Sequence, residues 1–278
     1  MINILFSGNS GVFDGVLTCG LSILKRCAPD TSFCFYLLTM DVSHLKETYT
    51  PINQTQADFF EGVVKEYNGE NRVVLLDVTG LYNKEFAGSP NEGAYCSPYT
   101  LLRLFADEID ILPDKLLYLD VDIMFNKDIN LLYNIDVEDC EYAAARDHYG
   151  KYLIQPNYIN AGVLLMNLRR MRETGILARA RNLIKKKKLV FADQSAIIRS
   201  TTKKKVLPQK YNDQKFLHKK RTVVRHFSKR LFWLPYPHTE NIKQWHVSRV
   251  HKKFRYYCFD DVLYEYVYLK EKFDRENS

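Results

Sequence analysis

Short apolar, β-branched runs alternate with helical stretches along most of this 278-residue chain, and that alternation restricts the fold more than any other feature. The runs fall at residues 2–6, 32–40, 72–79, 115–121, 142–146 and 161–168. Between them, segments such as 14–26, 55–67, 97–109 and 169–188 carry apolar residues three and four apart, the spacing of an amphipathic helix. Parallel strands need a crossover about as long as a helix, so this alternation builds βαβ units. The expectation is an α/β fold: a Rossmann-like, mostly parallel sheet flanked by helices. The 97–109 segment opens Ser-Pro, which places a helix start near Pro98. Residues 169–188 read as one basic helix. From about Trp233 the chain turns aromatic and irregular before a last helical stretch near 260. This gives a main domain over 1–235 and a small C-terminal appendage over 236–278.

One run departs from its neighbours. In "LYLDVDIMFNKDI" (117–129) two aspartates, Asp120 and Asp122, interrupt an otherwise apolar stretch. On a strand, residues i and i+2 share a face, so the two carboxylates would stand side by side. Carboxylates that close repel unless a proton or cation sits between them. A divalent metal with hard oxygen ligands, Mn²⁺ or Mg²⁺, resolves the repulsion. The run over 115–121 would put the pair at the carboxyl end of a central strand, where open α/β sheets bind ligands. Phosphohydrolases of the haloacid dehalogenase type also carry an Asp-x-Asp after an apolar strand. There, however, the motif sits near the N-terminus with a Thr two residues on, and here that position is Met124.

Composition is that of a globular chain, with 46% apolar and 26% charged residues, which excludes disordered and collagen-like classes. No stretch approaches the ~18 consecutive apolar residues of a membrane span. The N-terminus has no basic n-region and reads as a first strand, not a signal peptide. The six cysteines at 19, 27, 34, 96, 140 and 258 form no CxxC pair; reduced thiols in a cytoplasmic protein are expected. The net charge of +7 is unevenly spread, since residues 181–230 carry 17 Lys/Arg against only Asp193 and Asp213. Such a block implies an anionic partner. A nucleic-acid-binding module is the rival class to an enzyme. It would interleave the basic residues with stacking aromatics in a known module, and none is visible.

The run "YTLLRLFADEIDILPDKLLYLDVDIMF" resembles the central signature of glycosyltransferase family 8. These are retaining, nucleotide-sugar-dependent enzymes of GT-A fold that include bacterial lipopolysaccharide galactosyl- and glucosyltransferases. "AAARD" (143–147), "YINAGVLLMNL" (158–168), "FADQ" (191–194), "LPQKYN" (207–212) and "RHFSKRLFW" (225–233) follow in the family's order. The resemblance covers roughly residues 1–235. It implies that Asp120 and Asp122 hold Mn²⁺, with Mg²⁺ as the alternative, against the donor diphosphate, and that His226 completes the protein ligands. It further implies donor contacts from Ser7 and Asn9 to a uridine, with Val121 beside the dyad. Arg103 would reach nucleotide or sugar, Asn160 and Ala161 the sugar, and Asp147 the sugar and acceptor. Asp193 and Gln194 would be the catalytic pair. Three departures stand out: Ser7-Gly8-Asn9-Ser10 where the family has Asp residues, Ile198 where it has Asn, and a shortened "HFSKRLFW". The last leaves Lys229 or Arg230 to clamp phosphate.

The implied reaction moves a hexose, galactose or glucose, from a UDP-sugar to a glycan or glycolipid in cell-envelope polysaccharide synthesis. A metal with Lys or Arg would neutralise the leaving diphosphate. An amide oxygen is a poor nucleophile. Front-face substitution, with Gln194 facing the developing oxocarbenium ion, therefore fits better than double displacement. The basic, aromatic tail around Trp233 and Trp245 suits a lipid headgroup region, which implies peripheral contact with the inner face of the membrane.

Overall fold

In the computed structural model, which describes residues 1–92 and 97–277, a seven-stranded sheet carries the chain. Its strands are β1 (Ile2–Ser7), β2 (Phe33–Thr39), β3 (Arg72–Asp77), β4 (Lys115–Leu119), β6 (Tyr142–Ala145), β7 (Val163–Asn167) and β8 (Lys204–Leu207), while β5 (Ile123–Phe125) lies outside it. The order is β3-β2-β1-β4-β7-β6-β8. β1 runs parallel to β2 and β4, β2 to β3, and β6 to β8. β7 alone is antiparallel to both neighbours.

The inner strands β1, β2, β4, β7 and β6 bury both faces, which is why their apolar runs are nearly continuous rather than alternating. Ile4, Phe6, Leu117 and Leu119 pack on one side, against the helices Phe13–Leu24 and Gln54–Tyr67. Leu5, Leu116 and Tyr118 pack on the other, against Pro98–Glu108, Ile176–Lys186 and Ala192–Ser200. The C-terminal helix Asp260–Glu276 lies on Phe13–Leu24, where Lys25 pairs with Glu265 at 2.5 Å and Arg26 with Asp261 at 2.6 Å.

Three local expectations change. The segment Pro98–Glu108 does begin at Pro98 but winds as a 3₁₀ helix. Residues three apart then share one column, so Thr100 and Arg103 line up towards the sheet's carboxyl edge. The basic stretch 169–188 is two helices, Leu168–Thr174 and Ile176–Lys186. Gly175 sits between them at φ 63°, a left-handed conformation that closes the first helix. Finally, β4 ends at Leu119, so Asp120 and Asp122 lie in the turn between β4 and β5 and not on a strand. Cys19, Cys27, Cys34, Cys140 and Cys258 are free thiols; Cys96 lies outside the described residues.

Candidate active site

The strand order leaves β1 once towards β2 and once towards β4, so the sheet has its switch point between β1 and β4. Crevices open at the carboxyl ends of such strands. The register pairs Leu5 with Tyr118, and two residues further on it brings Ser7 level with Asp120. Ser7 Oγ and Tyr118 Oη are 2.8 Å apart. Around them a cleft of about 400 Å³ is lined by Ser7, Asn9, Tyr99, Asp120, Val121, Asp122, Lys243 and Trp245. Asn9 donates its amide N–H to Thr48 O at 3.0 Å, which leaves Oδ1 as its uncommitted acceptor.

His226 reaches the dyad through a strand pairing that joins residues about a hundred positions apart. β9 (Val224–His226) runs antiparallel to β5, with Ile123 opposite His226, and Phe227 N–H donates to Asp122 O at 2.7 Å. His226 Nε2 then lies 3.0 Å from Asp122 Oδ1 and 4.0 Å from Asp120 Oδ2. Ligand atoms of Asp120, Asp122 and His226 all fall within 4.8 Å of one another. The dyad and His226 thus converge through a turn and a second strand pair.

A chain of hydrogen bonds decides which nitrogen of His226 carries the proton. Gly162 N–H can only donate, and it donates to Asn160 Oδ1 at 3.0 Å. Asn212 must therefore offer Nδ2 to that same oxygen, at 2.8 Å, and its own Oδ1 to His226 Nδ1, at 3.0 Å. Nδ1 is then the donor, and Nε2 keeps a bare lone pair. A lone pair 3.0 Å from a carboxylate oxygen is repulsive unless a proton or cation lies between them. Two carboxylates and an imidazole whose tautomer is fixed from behind make a donor set that fits Mn²⁺.

Basic groups flank the cluster. Lys243 forms an ion pair with Asp122 Oδ2 and also donates to Phe227 O at 3.3 Å. Burial works to raise the Asp122 carboxyl, but Lys243, joined by His226 when its Nε2 is protonated, outweighs it and holds the group well below the usual carboxylate range. Arg103 is only 2% exposed and acts as an organiser below the floor of the cleft. It pairs with Asp120 at 2.8 Å and Asp193 at 3.3 Å, donates to Ala161 O at 2.5 Å, and lies over the Tyr118 ring at 3.9 Å. Asp193 and Gln194 open the helix Ala192–Ser200. Burial pushes the Asp193 carboxyl up, against the pull of Arg103. Gln194 Oε1 accepts from Ala161 N–H at 3.0 Å. Asp147 accepts from Asn160 at 3.0 Å and from Gly150 N–H at 2.7 Å, so it closes the polar chain that begins at His226.

The model of glycosyl transferase family 8 matches residues 3–246. The chain belongs to this family. Its curated relatives include glycosyltransferase GlyA of Streptococcus pneumoniae, 30% identical over 165 residues, which are 59% of this chain and 20% of GlyA. A Haemophilus influenzae relative is 27% identical over 177 residues, covering 56% of this chain and 52% of that one. The chain thus matches a fifth of one curated relative and about half of the other. The fold is GT-A. It superposes on the galactosyltransferase LgtC, solved in complex with donor and acceptor sugar analogues, with a TM-score of 0.66 at 18% identity, over 95% of this chain and 96% of that one.

The family 8 match runs past residue 235, and the structure shows why. A hairpin, β10 (Arg230–Phe232) with β11 (His238–Glu240), interrupts the segment after His226. The chain then returns to the cleft as Lys243-Gln244-Trp245. Gln244 is buried and donates to Val121 O at 2.7 Å and Thr18 Oγ1 at 3.0 Å. Lys229 is exposed, Arg230 lies on the hairpin, and Lys243 is the lysine that lines the cleft. Sequence reasoning did not single out Lys243, put Trp245 in a lipid-suited tail, and carried Asn212 only within "LPQKYN"; the structure lines the cleft with Lys243 and Trp245 and sets Asn212 behind His226.

Proposed function

We propose that this chain is a retaining, metal-dependent glycosyltransferase that moves galactose or glucose from a UDP-sugar to a glycan or glycolipid acceptor. The observation that carries the reading is the bare His226 Nε2 facing Asp122, in the cleft where Ser7 and Asn9 end β1. Asp120, Asp122 and His226 would hold the metal, and the ion would neutralise charge on the leaving diphosphate. Lys243, paired with Asp122, adds a positive charge at the same place. Asn9 Oδ1 matches the imide N–H of uracil. Asp193 is enclosed with Arg103 against it, which speaks against its acting as a nucleophile. Gln194 has a second carbonyl lone pair beyond the one given to Ala161, and this supports its placement against positive charge at the anomeric carbon.

No helix among the described residues is long and apolar enough to cross a membrane. A cytoplasmic place of action at the membrane's inner face is supported by the hairpin tip. There Trp233, Leu234 and Tyr236 are 69%, 83% and 67% exposed beside Arg230, a mixture suited to a headgroup layer.

A melting-temperature panel of UDP-, GDP- and dTDP-sugars with Mn²⁺ tests the donor and metal together. UDP-sugars with Mn²⁺ are expected to stabilise the protein, and chelation to remove the gain. Products formed from an α-linked donor should keep the α configuration by NMR, and a β-linked product would overturn the reading. Gln194→Ala should lower kcat and kcat/KM together by about 10- to 100-fold, or ~1.4–2.7 kcal/mol. Because the Ala161 N–H loses its acceptor, stability should fall by about 1–3 kcal/mol as well. Gln194→Glu restores that acceptor. A glycosyl-enzyme adduct seen by intact mass in this variant would show that a carboxylate here can attack the anomeric carbon.

A further inference from the structure

The positive charge gathered between residues 181 and 230 is not uniformly a solvated face. Arg181 pairs with Asp107 and Glu108, and Lys185 with Glu85. Lys210 and Arg221 do not share in this. Together with Lys151 and two histidines they converge on a pocket of about 300 Å³, at the low end of small-ligand sites. The residues that matter are His148, Lys151, Lys210, Asp213, His218 and Arg221.

Its place in the fold sets this pocket apart from the nucleotide cleft. The polar chain from His226 runs through Asn212 and Asn160 to Asp147. His148 directly follows Asp147, and Asp213 directly follows Asn212, so the pocket is walled by the two segments that support the metal cluster from behind. The nucleotide cleft is built instead from the ends of β1 and β4 and from residues 241–246. The two sites have no lining residue in common.

The pocket's cations lack carboxylate partners, although Lys151 lies over the Tyr152 ring at 4.9 Å and Lys210 over the Tyr211 ring at 4.8 Å. Among the described residues no ion pair engages Lys151, Lys210 or Arg221, while Asp213 is the single acid in the lining. Both Asp213 oxygens are taken: Oδ1 accepts from the backbone N–H groups of Lys215 and Phe216 at 3.2 and 2.9 Å, and Oδ2 from Thr222 Oγ1 at 3.2 Å. His148 feels the result, since burial and then Lys215 and Lys151 lower its pKa. Gln214 Oε1 accepts from His148 N–H at 2.9 Å, and its buried Nε2 has no hydrogen-bond partner. The pocket thus gathers positive charge that, among the described residues, no carboxylate neutralises.

We propose that this pocket is an acceptor subsite for an anionic group, a phosphate or carboxylate carried by the glycan or glycolipid beside its accepting hydroxyl. The assignment rests on the transferase reading above and deepens it by naming the acceptor's chemistry. Lysines supply point charges and Arg221 a planar fork, the pair of geometries that tetrahedral phosphate and planar carboxylate accept. A concave pocket with converging donors suits a discrete anion, whereas a flat lipid surface would use a flat basic face.

The test titrates methyl phosphate, glucuronate and neutral glucose into the intact protein with UDP and Mn²⁺ already bound, so that the diphosphate site is filled. Binding is followed by calorimetry at low salt. An anion is expected to bind and glucose not; the tighter anion identifies a phosphorylated or an acidic-sugar acceptor. Lys151→Ala combined with Lys210→Ala should weaken that anion at least 10-fold and leave UDP affinity unchanged, while Lys210→Arg should retain binding. Flat titrations with both anions, or an anion affinity the double variant does not change, overturn the subsite. So does a double variant that loses only its binding to phosphatidylglycerol vesicles, which would make the patch a membrane contact. Failure of UDP itself to bind is a separate outcome that overturns the transferase reading and the acceptor assignment with it.

Discussion

Asp122→Asn is expected to lower metal-dependent turnover by about 10³-fold, a loss of ~4 kcal/mol in transition-state stabilisation, and to weaken Mn²⁺ binding measured directly by calorimetry. Asp122 is the better of the two aspartates to change, because the partners of Asp120 reach deeper. Asp120 is tied to Arg103 and to Tyr118 Oη, both at 2.8 Å, and Arg103 also holds Asp193 and Ala161. A change at Asp120 would therefore loosen the floor of the cleft as well as the metal cluster. Asp122 answers to His226 and Lys243 only. The substitution is not free of structural cost, since it removes the anion between two basic groups, and the side chain is buried. A stability loss of about 1–3 kcal/mol is expected, small enough for the variant to be purified and measured. A folded Asp122→Asn protein that keeps near-normal turnover with Mn²⁺ would show that the cluster is not the metal site.

Gly162→Ala should be nearly as damaging, though it adds one methyl group to a residue with no chemistry of its own. A Cβ at this position would lie 2.5 Å from His226 Cε1, 2.6 Å from Asp120 Oδ2 and 3.0 Å from Asn160 Oδ1. None of the three can easily give way. His226 is pinned by Asn212, Asp120 by Arg103, and Asn160 by the Gly162 N–H itself. Gly162 O also accepts the Asp120 N–H at 2.8 Å, so the two backbones are in contact. Displacing metal ligands by even ~1 Å can cost about 10²-fold in rate, and that loss is expected here together with weaker Mn²⁺ binding. Gly62→Ala is the control: nothing lies within 4 Å of its added Cβ. It sits in the helix Gln54–Tyr67, where alanine should be neutral or stabilising by up to ~1 kcal/mol. If Gly162→Ala binds Mn²⁺ and turns over as the parent does, the geometry assigned to the cluster is wrong.

The sequence by itself determined what depends on neighbouring residues. Strand and helix periodicity specified the alternating elements, and the doubly buried runs marked the central strands, because burial on both faces leaves a continuous apolar signature. The dyad at Asp120 and Asp122 was legible because carboxylates inside such a run have no packing role. What the sequence did not show were contacts made across the chain. The turn that ends β4 at Leu119, the pairing of Ile123 with His226, and the return of Lys243 after a hairpin join segments whose separation carries no periodic signal. Arg103 was visible as a residue but not as a buried organiser, since its role depends on Asp120, Asp193 and Ala161 arriving from three different elements. Likewise the proton on His226 Nδ1 follows from Gly162, Asn160 and Asn212. Local propensity and hydrophobic pattern act over a few residues, so they determine elements; a metal site and its charge balance arise only when the folded sheet brings distant carboxylates, amides and cations within ångströms of one another.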